Sequence, residues 1–190
     1  EKDTSRGLGD VYKRQPIVRF ERQGGGKDAI EKASNLLSKA KFPVILSGAG
    51  VVIGGAIEEC KKLAEKLDAP VCNGYQHNDS FPGSHPLAVG PLGYNGSKAA
   101  MELISKADVV LALGTRLNPF STLPGYGIDY WPKNATIIQV DMNPDRIGLT
   151  KKVTVGICGD AKQVAQQILD KLSSNAGNLG RDERKNLIHK

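Results

Sequence analysis

Apolar residues change their spacing along this chain, and the changes mark out the elements. Ala29, Ile30, Ala33, Leu36, Leu37 and Ala40 recur at three- and four-residue steps, which puts them on one face of a helix. Pro43 ends that pattern. "PVILSG" is then continuously apolar, as a strand buried on both faces of a parallel sheet would be. Helical spacing returns in "AIEECKKLAEKL", with Ile57, Cys60, Leu63, Ala64 and Leu67 on one side, and "APVCNG" reads as a second short strand. "SKAAMELISKA" is a third helix with Ser97 as N-cap, and "DVVLALG" is the clearest strand of the chain. "ATIIQVDM" and "KVTVGICGD" are further strands around the turn "NPDRIG", and "DAKQVAQQILDKL" is a last helix capped by Asp160.

Two long segments carry neither period. "YQHNDSFPGSHPLAVGPLGYNGS" and "TRLNPFSTLPGYGIDYWPKN" are rich in Gly, Pro, Asn and aromatic residues. Loops of that length in a compact domain carry function or meet a partner. The resulting order is α-β-α-β-loop-α-β-loop-β-β-α. Apolar strands alternating with helices predict an α/β domain, a three-layer, Rossmann-like open parallel sheet with right-handed crossovers. Tyr126, Tyr130 and Trp131, in the second loop, are expected to be exposed and to face a partner.

The ends of the chain do not share this patterning. Residues 1–15, "EKDTSRGLGDVYKRQ", show no apolar period, and "GLGDVYKRQ" resembles translated sequencing-adapter text. They are expected to be an artefact or a disordered lead, outside a domain spanning 16–173. Residues 174–190, "SNAGNLGRDERKNLIHK", read as a linker toward a missing C-terminal domain, so the chain is expected to be a piece of a longer protein.

Charge and cysteine content narrow the classes. The formal net charge is +6, of which the first fifteen residues contribute +1 and the last ten +2. The remaining charge forms no basic stripe interleaved with aromatics, so nucleic acid is not an expected partner. No apolar run approaches the ~18 residues of a membrane span, and the opening residues lack the basic-then-apolar pattern of a signal peptide. A cytoplasmic protein is expected. Cys60, Cys72 and Cys158 are odd in number, far apart and in no C-x-x-C pair, so small buried hydrophobes are expected rather than ligands or nucleophiles.

Candidate chemistry gathers where predicted strands end. "VILSGAGVVIGG" resembles the turn of a dinucleotide-binding unit, but the third glycine of G-x-G-x-x-G is displaced by one and the second strand ends at Asn73, not at an acid. Gly48 and Gly50 therefore either border a nucleotide or serve a tight turn with close packing. Arg116, in "LGTRLNPF", can pair with a phosphate or carboxylate, or make an ion pair or a domain contact. Asp141, in "QVDMNP", can accept hydrogen bonds from a ribose or cap the "NPDR" turn. His77 and His85, with Asp79 near, fit no zinc spacing and are expected to pack and hydrogen-bond. No catalytic residue and no metal ligand is assigned. No Ser-His-Asp set, H-E-x-x-H, EF-hand loop or P-loop is present.

Together, "FPVILSGAGV", "HPL", "ADVVLALGTRL", "IIQVDMNPDRIG" and "GDA" resemble the central domain of thiamine-diphosphate-dependent enzymes, from about Gly24 to Leu172. Within that family "HNDSFP", "IDYWPK" and "VGICGDAK" resemble the sulfoacetaldehyde acetyltransferase branch. The resemblance implies thiamine diphosphate and Mg²⁺ in a parent enzyme that cleaves a carbon–sulfur bond, releasing sulfite and passing acetyl to phosphate. It places the activating glutamate in an N-terminal domain and the G-D-G…N metal motif in a C-terminal domain, neither of which this sequence contains. It also implies a homo-oligomer, dimer or tetramer, with those missing domains as partners. In flavin-binding relatives the position matching Arg116 touches FAD and the loop matching Gly48–Gly50 lies near it; other relatives hold ADP there, and many hold nothing. The acetyltransferase branch is not expected to need flavin, so Gly48, Gly50, Arg116 and Asp141 are expected to outline a vestigial nucleotide crevice. An acetolactate synthase-like parent and a stand-alone FAD- or ADP-binding module are the alternatives. A sirtuin-like deacylase shares a "GAG" turn but needs a four-cysteine zinc site, which three cysteines cannot supply.

Overall fold

The structure is a computed structural model, and it describes residues 21–188. The segment 1–15 that the sequence sets apart lies outside the described residues. From Lys27 the elements are α1 (Lys27–Lys39), β1 (Pro43–Ser47), α2 (Ala49–Gly54), α3 (Ile57–Leu67), β2 (Val71–Asn73) and β3 (Ala88–Pro91). After these come α4 (Lys98–Ile104), β4 (Val109–Leu113), α5 (Pro119–Thr122), β5 (Thr136–Asp141), β6 (Val155–Cys158), α6 (Ala161–Lys171) and α7 (Arg181–Ile188). Single 3₁₀ turns cover Asn78–Ser80 and Pro144–Arg146.

Among the described residues six strands form one sheet in the order β3-β2-β1-β4-β5-β6, and every pairing is parallel. Ile45 lies level with Val71 on one side and Leu111 on the other, and Leu111 with Ile138. Side-chain alternation along the strands then divides the interior in two. Ile45, Leu111 and Ile138 join Ile30 and Leu37 of α1, Leu63 of α3 and Val164 of α6 on one face. Val44, Leu46 and Val110 join Met101 and Ile104 of α4 and Tyr130 on the other. Continuous apolar runs in β1 and β4 are thus explained by helices on both faces. Each fully buried Leu or Ile in these layers contributes about 1.5–3 kcal/mol.

Four expectations change. The first long segment contains β3, so the sheet has one strand more than the pattern predicted. "AVGP" carries a glycine and a proline and only half-buried positions; both residues are tolerated because β3 is an edge strand, and the pairing slips between Val71 and Cys72 where it starts. Cys158 is exposed, whereas Cys60 and Cys72 are buried as expected. The opposite edge strand, β6, alternates buried and exposed along Val155, Gly156, Ile157 and Cys158, because only one of its faces is covered. Tyr130 is 1% exposed, inside the second core layer, while Tyr126 is 68% exposed as expected. Trp131 is half-buried with the Lys151 ammonium 5.1 Å from its ring centre.

The fourth change concerns the tail. Residues 181–188 are helical, and Arg184 in α7 is fully buried. Its guanidinium donates to the carbonyls of Asp68 (3.0 Å) and Leu67 (3.2 Å), and to those of Lys41, Gly177 and Leu179. The Asp68 carboxylate is 3.8 Å away. Burial pushes this guanidinium down from its usual range, and Asp68 acts against that shift. The segment read as a linker is therefore pinned to the body of the domain through its last described turn.

Candidate functional site

Strand order reverses between β1 and β4: the chain builds outward from β1 through β2 and β3, and outward from β4 through β5 and β6. The loops leaving the carboxyl ends of these two neighbours diverge and open a crevice, the place where open α/β sheets bind ligands. A cavity of about 510 Å³ occupies it, and Gly48, Gly50, Arg116 and Asp141 all line it. The four residues singled out in the sequence are brought together.

What each does there is physically specific. The Gly50 N–H donates to the Gly114 carbonyl at 2.8 Å, and the Gly48 N–H to the Leu113 carbonyl at 3.1 Å. A Cβ on Gly50 would sit 2.7 Å from the Gly114 Cα, and one on Gly48 2.6 Å from the Thr115 Cβ. Gly114 itself has φ +61°, and a Cβ there would lie 2.7 Å from the Val51 nitrogen. Both glycines are thus required by the approach of the β1 and β4 loops. Asp141 Oδ1 accepts the Asn143 N–H at 2.9 Å, which fixes the turn after β5. Asp160 caps α6 as the sequence indicated, accepting from the N–H groups of Lys162 and Gln163 at 3.1 and 3.2 Å.

Arg116 differs from these three. Its side chain is exposed on the crevice wall, and among the described residues it makes no ion pair. The next residue, Leu117, is fully buried with φ +52°, a conformation that costs a non-glycine residue on the order of 1–3 kcal/mol. The turn is held by the Leu117 N–H donating to Thr115 Oγ1 (3.2 Å) and by the Thr150 hydroxyl donating to the Leu117 carbonyl (2.6 Å).

Three lining or supporting groups were not singled out from the sequence. Arg22 donates to the Gly54 carbonyl and lies 3.8 Å from the buried Asp160 carboxylate, at the rim of the crevice. Arg146 lines the far wall. Beneath them Gln139 is buried in β5, where its Nε2 donates to the carbonyls of Thr115 (3.1 Å) and Arg146 (3.2 Å) and its Oε1 accepts the Gly148 N–H (2.9 Å). One side-chain amide therefore ties the Arg116 turn to the Arg146 turn. A polar residue inside the apolar run "IIQV" was the available signal.

The histidines stay apart. His85 is 3.2 Å from Glu65, accepts the Leu87 N–H on Nδ1 at 3.2 Å, and meets Phe81 edge-on at 5.1 Å. His77 borders the crevice, and its carbonyl accepts from Ser80 N–H and Asn73 Nδ2. Among the described residues no three His, Cys, Asp or Glu side chains come together in a set able to hold a metal ion. Burial pushes the Cys60 thiol up to about 12, and it pushes Cys72 up as well, so both stay protonated and inert at neutral pH.

A family model for the thiamine pyrophosphate enzyme central domain matches residues 30–168. The chain belongs to this family. A relative from Rhizobium meliloti (strain 1021), named "Probable sulfoacetaldehyde acetyltransferase", is 80% identical over 173 residues, 91% of this chain and 29% of the relative. The sulfoacetaldehyde acetyltransferase of Roseovarius nubinhibens is 73% identical over 174 residues, 92% of this chain and 29% of that protein. The chain therefore spans about 29% of the length of these relatives. A solved structure from Mycobacterium smegmatis, named a "putative thiamin diphosphate-dependent enzyme", superposes with a TM-score of 0.67 at 23% identity, covering 84% of this chain and 30% of that one. Among the described residues, no helix is long and apolar enough to cross a membrane.

Proposed function

We propose that this chain is the central, supporting domain of a sulfoacetaldehyde acetyltransferase, an enzyme converting sulfoacetaldehyde and phosphate into acetyl phosphate and sulfite. The observation that carries this reading is the 80% identity to the Rhizobium meliloti relative across nearly the whole chain. Thiamine diphosphate and Mg²⁺ belong, on this reading, to domains before and after the present one. This chain's own part is mechanical. It holds those domains at a fixed separation, in a cytoplasmic homo-oligomer of two or four copies. The domain is read as residues 16–173, and the segment after it, pinned back onto it through Arg184, continues toward the following domain.

The crevice is, on the same reading, a retained shape. Packing accounts for Gly48 and Gly50, and a local turn accounts for Asp141. One observation favours a second reading. Arg116 and Arg146 line the same cavity and, among the described residues, neither has an ion-pair partner. Two guanidinium groups over a 510 Å³ cavity suit a diphosphate-bearing nucleotide such as FAD or ADP.

The test is a graft. Residues 21–188 replace the matching stretch of the Rhizobium meliloti relative, and the folded product is assayed for sulfite and acetyl phosphate formed from sulfoacetaldehyde and phosphate. Release of both supports the assignment. A folded, thiamine-loaded graft that releases neither overturns it, because this domain then does not fit the neighbouring domains of the acetyltransferase. Sulfite release by the ungrafted 190-residue chain overturns the supporting role.

A further inference from the structure

We infer that Tyr75, Tyr94, Phe120 and Tyr126 form a preorganised docking face for the domain that precedes this one in the same enzyme. The inference rests on the chain being one part of a longer polypeptide. Tyr94 and Phe120 are each 56% exposed and Tyr126 is 68% exposed. They are not scattered. The Tyr75 ring stacks on Phe120 at 5.9 Å and meets Tyr94 edge-on at 6.3 Å. An exposed cluster of large rings is costly to leave in water and marks an interaction surface.

The loops carrying these rings lock one another in place. The Tyr94 N–H donates to the Phe120 carbonyl at 2.9 Å, the Tyr75 N–H to Ser121 Oγ at 3.0 Å, and the Tyr126 hydroxyl to the Gly96 carbonyl at 3.1 Å. Gly93 has φ +84°, and a Cβ on it would lie 1.8 Å from the Phe120 carbonyl, so the loop after β3 is pressed against the loop after β4. Among the described residues five non-glycine positions have positive φ, and four of them, Gln76, Asn95, Leu117 and Tyr126, fall in these three loops. Strained backbone persists where the surroundings over-determine it, and it clusters at binding surfaces. Rings fixed in this way lose little freedom when covered, which is what a standing interface needs.

The length of polypeptide absent from this chain names the occupant. The relatives are more than three times as long as the part matched here, and the family model is that of a central domain. The face lies at the carboxyl edge of the sheet. The polypeptide enters there too, with Arg22 bound to the Gly54 carbonyl and the Gln23 carbonyl accepting the Asp160 N–H. A contact between domains of one chain covers about 600–1,500 Å², enough to bury all four rings.

Hydroxyl-radical footprinting tests the inference. Oxidation of Tyr94, Phe120 and Tyr126 is compared between the 190-residue chain and the Rhizobium meliloti graft. The expected result is oxidation slower by about fivefold or more in the graft, since rings at the core of an interface lose most of their exposure. Equal rates in the two proteins overturn the inference. Protection in the 190-residue chain that grows with its concentration also overturns it, because the occupant is then a second copy. Protection in a graft that releases no sulfite leaves the docking face standing and removes only the sulfoacetaldehyde assignment. In the graft, Tyr94→Ser with Phe120→Ser should restore rapid oxidation of Tyr126. Undiminished protection of Tyr126 in that variant would overturn the role given to the stacked rings.

Discussion

Arg116 and Arg184 are the same side chain at opposite edges of one sheet. Arg184 is fully buried and donates to five backbone carbonyls drawn from segments more than a hundred residues apart in sequence. Arg116 stands exposed beside a strained turn, with no ion pair among the described residues. The contrast teaches how to divide the molecule. Where an arginine gathers orphan carbonyls, its work is structural and complete. Where one is held outward at the carboxyl edge of the strands, no ion pair among the described residues depends on it. The remaining marks of the crevice, Gly48, Gly50, Asp141 and Asp160, fall on the structural side.

Substitutions can break or sharpen that division. The largest effect is expected at Arg184. Arg184→Ala leaves the carbonyls of Leu67, Asp68 and Gly177 without this donor, while the Asp68 carboxylate keeps Arg181 at 3.6 Å, and the cost is about 3–5 kcal/mol. Thermal unfolding of the 190-residue chain should fall by roughly 10 °C, given ~2–4 °C per kcal/mol at this size. Arg184→Lys should recover only part of this, because one ammonium cannot fork to carbonyls on several sides. A change below about 1 kcal/mol would return α7 to the status of a loose linker.

Gly114→Ala comes next. It places a Cβ 2.7 Å from the Val51 nitrogen at a residue with φ +61°, for about 1–3 kcal/mol. Chemical denaturation would measure it, and a neutral result would remove the packing explanation for Gly48 and Gly50. Thiol labelling then separates buried from exposed cysteines. Cys158 should react readily, while Cys60 and Cys72 should stay silent at pH 8 in the native chain. Cys60 has its pKa raised from 9.0 to about 12 by burial. Its stabilising contribution is therefore full below pH 9 and declines as pH climbs from 9 toward 12, where the unfolded thiol ionises and the folded one does not. Denaturation midpoints across that window would check the sign. Arg116→Ala should be smallest, within about 0.5 kcal/mol of the parent chain in the same denaturation assay. A larger loss would show that Arg116 is structural after all.

Much of this fold is legible because β1, β4 and β5 are continuous apolar runs between helices of clear period. What escapes is set by partners far away in sequence. "AVGP" is a strand only because β2 offers an edge to pair with, and Gly and Pro hide it. "RDERKNLI" looks like a solvated tail because nothing local shows that Lys41, Leu67 and Asp68 will present carbonyls to Arg184. Tyr130 and Cys158 exchange the surroundings expected for them, since burial in a loop or on an edge strand depends on which face is covered. At the crevice, Gly48, Gly50, Arg116 and Asp141 could be chosen because strand ends are where chains diverge. Gly114 and Gln139, which hold the crevice in shape, act through contacts across the sheet and leave only faint traces in the pattern.

A crevice kept in form by packing, in a domain that supports chemistry done elsewhere, has no nucleotide to hold. Calorimetric titration of FAD and of ADP into the 190-residue chain tests it most directly. No saturable binding of either nucleotide is expected at micromolar concentrations. A micromolar dissociation constant for one of them, lost in Arg116→Ala, would contradict it and make the crevice a working site.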